Sequence, residues 1–292
     1  MSLIIGYYGE NGAVVVGDKR NIMFRGNPEK REKIEKKLYS GEIKSEEELK
    51  KLCEENNIQI FIEDERNKIK KIDNVVIGEV RSIGLDSKRR RMYLTKGRCV
   101  ILDILNDDIT NKVDKGGSGI VMFGNKYLKD KVAEELKKHS SKLKDMKIEE
   151  VKDLLVNIVK NKCDGPTISD DLDVEYTDKC AIDIDSIIEK DIEELREYRN
   201  DLKNKMIDFK KVMVIADKIE KNGVIGVIKN GKLVLDDNHL AIDKICPNPT
   251  IYSEIDIEGN VEDGDIIVIE NGTLKVKDKD IPVSVNKIIC KK

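Results

Sequence analysis

The 292 residues carry 54 Lys and Arg against 57 Asp and Glu, a formal net charge of −3, so neither a nucleic-acid binder nor a protein of anionic membrane surfaces is indicated. No apolar run approaches the roughly 20 residues of a membrane-spanning helix, and no signal peptide is expected. The six cysteines (Cys53, Cys99, Cys163, Cys180, Cys246 and Cys290) are scattered with no Cys-x-x-Cys pair, which speaks against a zinc site or disulfide framework and for thiols in a reducing cytoplasm.

In chain order, two apolar runs come first, Leu3 to Tyr8 and Ala13 to Val16, around Gly9-Glu10-Asn11-Gly12. Asn-Gly between β-branched runs predicts a hairpin. The chain therefore starts in a buried strand. Met1 before a small residue is expected to be trimmed, leaving Ser2 with a free α-amine beside its hydroxyl. An α-amine of pKa about 8 can act as base for that hydroxyl, so Ser2 is a candidate nucleophile. The second run ends in Asp18-Lys19-Arg20.

Gly26-Asn27-Pro28 then breaks the pattern, and two charged helices follow, Glu29 to Tyr39 and one opened by Ser45 with Glu48 at capping-box spacing. Residues of about 26–64 read as an insertion. Lys68 to Ile72 pairs across Asp73-Asn74 with Val75 to Val80, which puts Lys68 opposite Gly78-Glu79. Lys88-Arg89-Arg90-Arg91 reads as a solvated turn, and Met92 to Leu94 and Arg98 to Leu105 as strands. Gly116-Gly117-Ser118-Gly119 leads into Ile120 to Gly124; without a Gly-Lys-Ser/Thr ending it is no phosphate loop. Two amphipathic helices run from Asn125 to His139 and Lys147 to Lys162. The acidic cluster Asp170, Asp171, Asp173, Glu175 and Asp178 reads as a solvated loop, Lys179 to Ile184 as a strand and Glu189 to Ile207 as a helix. Short strands with Asn-Gly turns then begin at Val212, which predicts a small β-barrel or sandwich. No metal or cofactor is expected. The composition, 38% charged with no Trp and Gln59 as the sole glutamine, suits a thermophile.

The first hairpin resembles that of proteasome β subunits: a nucleophile opening the strand (Ser2), Gly6, a polar turn at Asn11-Gly12, then Val14 to Gly17 ending in Asp18-Lys19-Arg20. Lys68-Ile69-Lys70-Lys71-Ile72-Asp73 resembles the family's lysine strand. The resemblance implies an N-terminal-nucleophile hydrolase fold, α+β in class, a four-layer α-β-β-α sandwich. It implies Ser2 as nucleophile, Lys68 lowering the pKa of the amine, Asp18 orienting Lys68, Gly78 or else Gly84 as oxyanion donor, and Ser118 assisting proton transfer.

The whole layout, an N-terminal-nucleophile domain over 2–206 with an insertion and an all-β domain over 207–292, is similar to the connectases, archaeal protein ligases of methanogens. That likeness implies cleavage of a Lys-Asp-Pro-Gly-Ala motif after Asp and rejoining of the acyl part to a chain beginning Pro-Gly. The implied partner is one polypeptide of the methanogen tetrahydromethanopterin:coenzyme M methyltransferase. A monomer is expected, because insertion and tail would obstruct ring stacking. A peptidase or amidohydrolase on the same residues, and a non-catalytic binding module, are the alternatives.

Overall fold

The structure, a computed structural model, describes residues 3–82 and 87–292. The chain divides into two compact units, Met1–Leu195 and Arg196–Lys292.

The first unit opens with β1 (Leu3–Gly9) and β2 (Gly12–Asp18), every residue buried. Their loop is Glu10-Asn11, one residue earlier than the Asn-Gly pair suggests: Gly9 pairs with Gly12, which takes a φ of 134°. Asn11 does more than turn the chain. Its amide donates to the carbonyls of Leu143 and Met146 at 2.9 and 2.7 Å.

The insertion follows as β3 (Asn21–Arg25), α1 (Pro28–Ser40), α2 (Glu46–Glu55) and β4 (Gln59–Glu63). β3 pairs with β4, and Ile34, Leu38, Leu49, Cys53 and Ile58 form its own core. Asn27 caps α1 by accepting from Glu29 N and Lys30 N. Ser45 caps α2, while the Glu48 carboxylate accepts from Lys44 N rather than closing the box on Ser45.

Five strands then run in sequence order through one sheet: β5 (Ile69–Ile72), β6 (Val75–Arg81), β7 (Lys88–Thr95), β8 (Arg98–Leu105) and β9 (Asp108–Gly116). β10 (Gly119–Gly124) returns to the first sheet; α3 (Lys126–Lys137), α4 (Ile148–Lys162), β11 (Leu172–Thr177) and α5 (Ile184–Asp217), whose residues from Arg196 on fall in the second unit, complete the series. The first sheet has the order β10-β1-β2-β11.

The period-two alternation of β1 and β2 sets the layering. Leu3, Ile5, Val14 and Val16 face Leu128, Val132, Val151 and Leu155 of α3 and α4. Ile4 and Val15 face Val76, Met92 and Leu94 of the second sheet. That sheet's outer face, Val75, Ile77, Tyr93 and Leu102, packs on Ile184, Ile188 and Ile192 of α5. Each fully buried aliphatic side chain contributes about 1.5–3 kcal/mol. The sheets approach closely at two glycines: a Cβ on Gly6 would lie 2.5 Å from Leu94 Cδ1, and one on Gly78 2.9 Å from Ile4 Cγ2.

Three segments differ from their sequence reading. Lys88 to Arg91 is no solvated turn but the first half of β7, where Arg89 and Arg91 both donate to Glu79. The strand at Lys179–Ile184 is absent; β11 is the stretch read as an acidic loop, because Leu172, Val174 and Tyr176 alternate onto the α3–α4 core. Val212 to Ala216 is the end of α5, which carries no Gly or Pro to stop it.

The second unit comprises β12 (Gly223–Lys229), β13 (Lys232–Leu235), β14 (His239–Ile242), β15 (Ile251–Tyr252), β16 (Glu254–Asp256), β17 (Ile266–Glu270), β18 (Thr273–Val276), β19 (Ile281–Pro282) and β20 (Ile288–Lys291). They form a six-stranded sheet, β16-β13-β12-β17-β18-β19, and a three-stranded one, β15-β14-β20, sharing a core that includes Ile225, Leu233, Ala241, Ile267 and Ile289. The turns Asn230-Gly231 and Asn271-Gly272 have positive φ at both residues, as tight hairpins of this twist require. His239 is buried between Asp236 Oδ1 at 2.7 Å and Glu220 Oε2 at 3.1 Å. All six cysteines are free, and among the described residues no helix is long and apolar enough to cross a membrane.

Candidate active site

At the end of β2 the apolar run gives way to Asp18, which is fully buried. A buried carboxylate needs partners on every side, and this one has three. Its Oδ2 accepts from the Leu3 backbone N–H at 2.7 Å. Its Oδ1 accepts from Arg20 N and from Lys68 Nζ, both at 2.9 Å. Lys68, 9% exposed, also donates to the Arg20 carbonyl at 2.7 Å. The lysine is aimed by its own backbone: Lys68 N and Ile69 N both donate to Asp173 Oδ2 at 3.1 Å, so β11 fixes the start of β5. Of the acidic cluster, Asp173 is thus a structural acceptor, and among the described residues no group of His, Cys, Asp and Glu has the arrangement to hold a metal ion.

Burial pushes the Asp18 carboxyl up and the Lys68 ammonium down, and their mutual attraction pulls each back. The result is a polarised pair whose carboxylate also grips the peptide link into residue 2. Such a pair presents a positive charge beside the start of β1 and can lower the pKa of an amine placed there, or stabilise a developing alkoxide.

Ser2 and Gly84 lie outside the described residues. Gly78 sits inside β6 with strands on both sides, paired with Ile69, and Glu79 N donates to the Lys68 carbonyl at 2.9 Å. The close sheet contact gives glycine at 78 a steric reason of its own.

Ser118 requires a correction. It is exposed in the turn between β9 and β10, and the antiparallel register pairs Tyr8 with Gly119 but Leu3 with Gly124. Five residues separate those pairs along β1, about 17 Å at the rise of a strand. The far end of β10, not its lead-in, therefore lies beside Leu3.

The residue at that end is Asn125, which sequence reasoning missed. It is 2% exposed, and its Oδ1 caps α3 by accepting from Tyr127 N at 2.9 Å. Its Nδ2 has no acceptor among the described residues. The available signal was Asn directly after a strand-ending glycine and before a helix. The loop Asp164 to Thr167 lies against it around a small cavity of about 20 Å³, closed from the insertion side by Leu38, Gly41, Ile43 and Lys44. Arg20 braces the same region, with Asp64 at 2.6 and 2.7 Å, Glu46 at 3.2 Å and the Pro166 carbonyl at 3.1 Å. A second, larger cavity of about 520 Å³ is lined by Lys68 and, among others, by Asn21, Arg66, Asn67, Glu79 and Arg81.

A family model described as "Connectase MJ0548-like, N-terminal domain" matches residues 1–193, and its companion, "Connectase MJ0548-like, C-terminal domain", matches residues 197–290. Together they span almost the whole chain. No curated protein gives a significant match.

Proposed function

The chain belongs to the connectase family, and from that premise we propose that it is a sequence-specific protein ligase acting through an acyl-enzyme on the N-terminal serine. The observation that carries the chemistry is the buried Asp18–Lys68 pair, whose carboxylate also holds the Leu3 N–H, one residue from Ser2. The two-sheet core with helices outside is taken as an N-terminal-nucleophile hydrolase sandwich.

With Met1 removed, the Ser2 α-amine accepts the hydroxyl proton as Oγ attacks the main-chain carbonyl carbon of Asp in a Lys-Asp-Pro-Gly-Ala motif. The amine then returns that proton to the departing Pro nitrogen as the C–N bond breaks, leaving the acyl group as an ester on Oγ. A chain beginning Pro-Gly attacks the ester in the reverse sequence, and a new peptide bond replaces the old one. Lys68 keeps the amine largely unprotonated by its adjacent charge, and Asp18 orients Lys68. Gly78 stays the proposed oxyanion donor. The Asn125 amide is proposed to assist proton transfer in the role expected of Ser118; what supports this is that Asn125 directly follows the register partner of Leu3. The insertion, braced by Arg20, would shield the ester from water and so favour transfer over hydrolysis. The proposed partner is one polypeptide of the methanogen tetrahydromethanopterin:coenzyme M methyltransferase, and the proposed working form is a cytoplasmic monomer.

Intact-protein mass spectrometry before and after mixing with a Lys-Asp-Pro-Gly-Ala peptide tests this. The expected result is a chain lacking Met1 with an adduct of the N-terminal half of the peptide. Free peptide acid without an adduct would instead mark a hydrolase. Retained Met1 with no reaction would leave a binding protein on the same fold.

A further inference from the structure

We infer that the 520 Å³ cavity beside Lys68 is a subsite for a side-chain carboxylate in the acyl half of the substrate, read by Arg66. The inference rests on the ligase reading and extends it to residues that recognise the substrate.

Most charges around the cavity are already matched. Lys68 is held by Asp18. Arg91 donates to Asp191 Oδ2 at 2.6 Å and to Glu79 at 2.5 Å, Lys70 pairs with Asp191, and Glu79 also takes Arg89 at 2.7 Å. The carboxylates of this wall are therefore occupied, and none is free to receive a cationic ligand. Arg66 stands apart. It is half-buried, its backbone N–H is fixed on the Lys19 carbonyl at 3.2 Å, and its guanidinium has no carboxylate partner among the described residues. It lies two residues before Lys68, and its field adds to the burial that depresses the Lys68 pKa.

A half-buried guanidinium on a cavity wall whose carboxylates are already paired attracts an anion, and its planar fork fits a carboxylate bidentately. The amides of Asn21 and Asn67 line the same cavity and can satisfy a peptide's polar groups beside it. A phosphate ligand fits less well, since among the described residues no helix N-terminus or glycine-rich loop lines this space. Lys68 lines the same cavity, so a carboxylate seated on Arg66 belongs to the part of the substrate held beside the Asp18–Lys68 pair.

The test compares a Lys-Asp-Pro-Gly-Ala peptide with its Lys-Asn-Pro-Gly-Ala counterpart on the wild-type chain, Arg66→Ala and Arg66→Lys, reading adduct formation by intact mass. A charge-assisted contact of this kind should make the wild type prefer Asp over Asn by roughly tenfold to a hundredfold. Arg66→Ala should bring that ratio near one, and Arg66→Lys should keep part of it, with melting curves showing that both variants are folded. An Asp preference that survives in Arg66→Ala, or a wild type without preference, overturns the subsite. If the wild type forms no adduct with either peptide, the ligase reading fails. The subsite is then judged by binding of the same peptides carrying a fluorophore: an Asp preference abolished by Arg66→Ala still supports it, and equal affinities overturn it.

Discussion

Replacing Asp18 by Asn is the most informative single perturbation of the first unit. The side chain keeps its size but loses its charge, and its NH₂ must now face either the Leu3 N–H or the donors Lys68 Nζ and Arg20 N. At 2.9 Å and an effective dielectric constant of about 20, the lost attraction to Lys68 is about 6 kcal/mol. Desolvation offsets part of this in the wild type, and removing one partner of a buried pair costs about 3–5 kcal/mol. For a unit of this size that lowers the melting temperature by on the order of 10 °C. Lys68 can relieve the strain by shedding its proton. Its folded pKa, already below the ordinary 10.5 through burial, loses the partner that was raising it. The unfolded chain then binds the extra proton between those two values, so stability must rise with pH there. The deficit of Asp18→Asn should therefore shrink between pH 7 and pH 10. Chemical denaturation, with hydrogen exchange of β1 and β2 as the local probe, measures both quantities. Adding Lys68→Met to the variant should cost little more than Asp18→Asn alone. A deficit under 1 kcal/mol at pH 7, or one that is flat with pH, would refute the reasoning.

Asn125→Asp should melt within about 1 kcal/mol of wild type, because Oδ1 still caps α3, yet form the acyl adduct at least about tenfold more slowly; equal rates would remove Asn125 from the site. Gly226→Ala should destabilise the second unit by about 2–3 kcal/mol, since the new methyl would collide with the Val234 carbonyl oxygen at the β12 bulge, and urea unfolding reads this directly. Burial alone would raise the Glu220 carboxyl, but the Asn222 N–H, His239, the Lys221 N–H and Lys291 hold it at about 2. Its folded pKa lies below the ordinary 4.5, so its contribution is present above that pH and is lost as the pH falls toward 2. Hydrogen exchange of residues 219–292 should show this acid loss in the wild type and not in Glu220→Gln.

The fold's beginning was legible because its signals are local: alternating β-branched runs, a two-residue turn, and a polar residue ending each apolar stretch. Asp18 and Lys68, fifty residues apart, could be named from their pattern, and the structure brings them together. Ser118 could not be placed, because the direction of β10 against β1 is set by the register of a long-range pairing that sequence does not state. The acidic alternation from Leu172 to Thr177 was a readable strand obscured by its charges, one of which, Asp173, turned out to hold the β5 backbone. Arg89 and Arg91 misled in the same way, since four consecutive cations look solvated until Glu79 and Asp191 are seen beneath them. In α5, Val212 and Ile215 have the composition of a strand, but the absence of a breaker let the helix run on.

β1 lies inside its sheet, between β2 and β10. Its second neighbour is made on the order of a hundred residues later, which at ribosomal rates is several seconds or more of synthesis. β1 therefore stays open on one edge until β10 has been made. The edge of β1 that carries Leu3 opposite Gly124 is thus completed only after the whole second sheet has been synthesised.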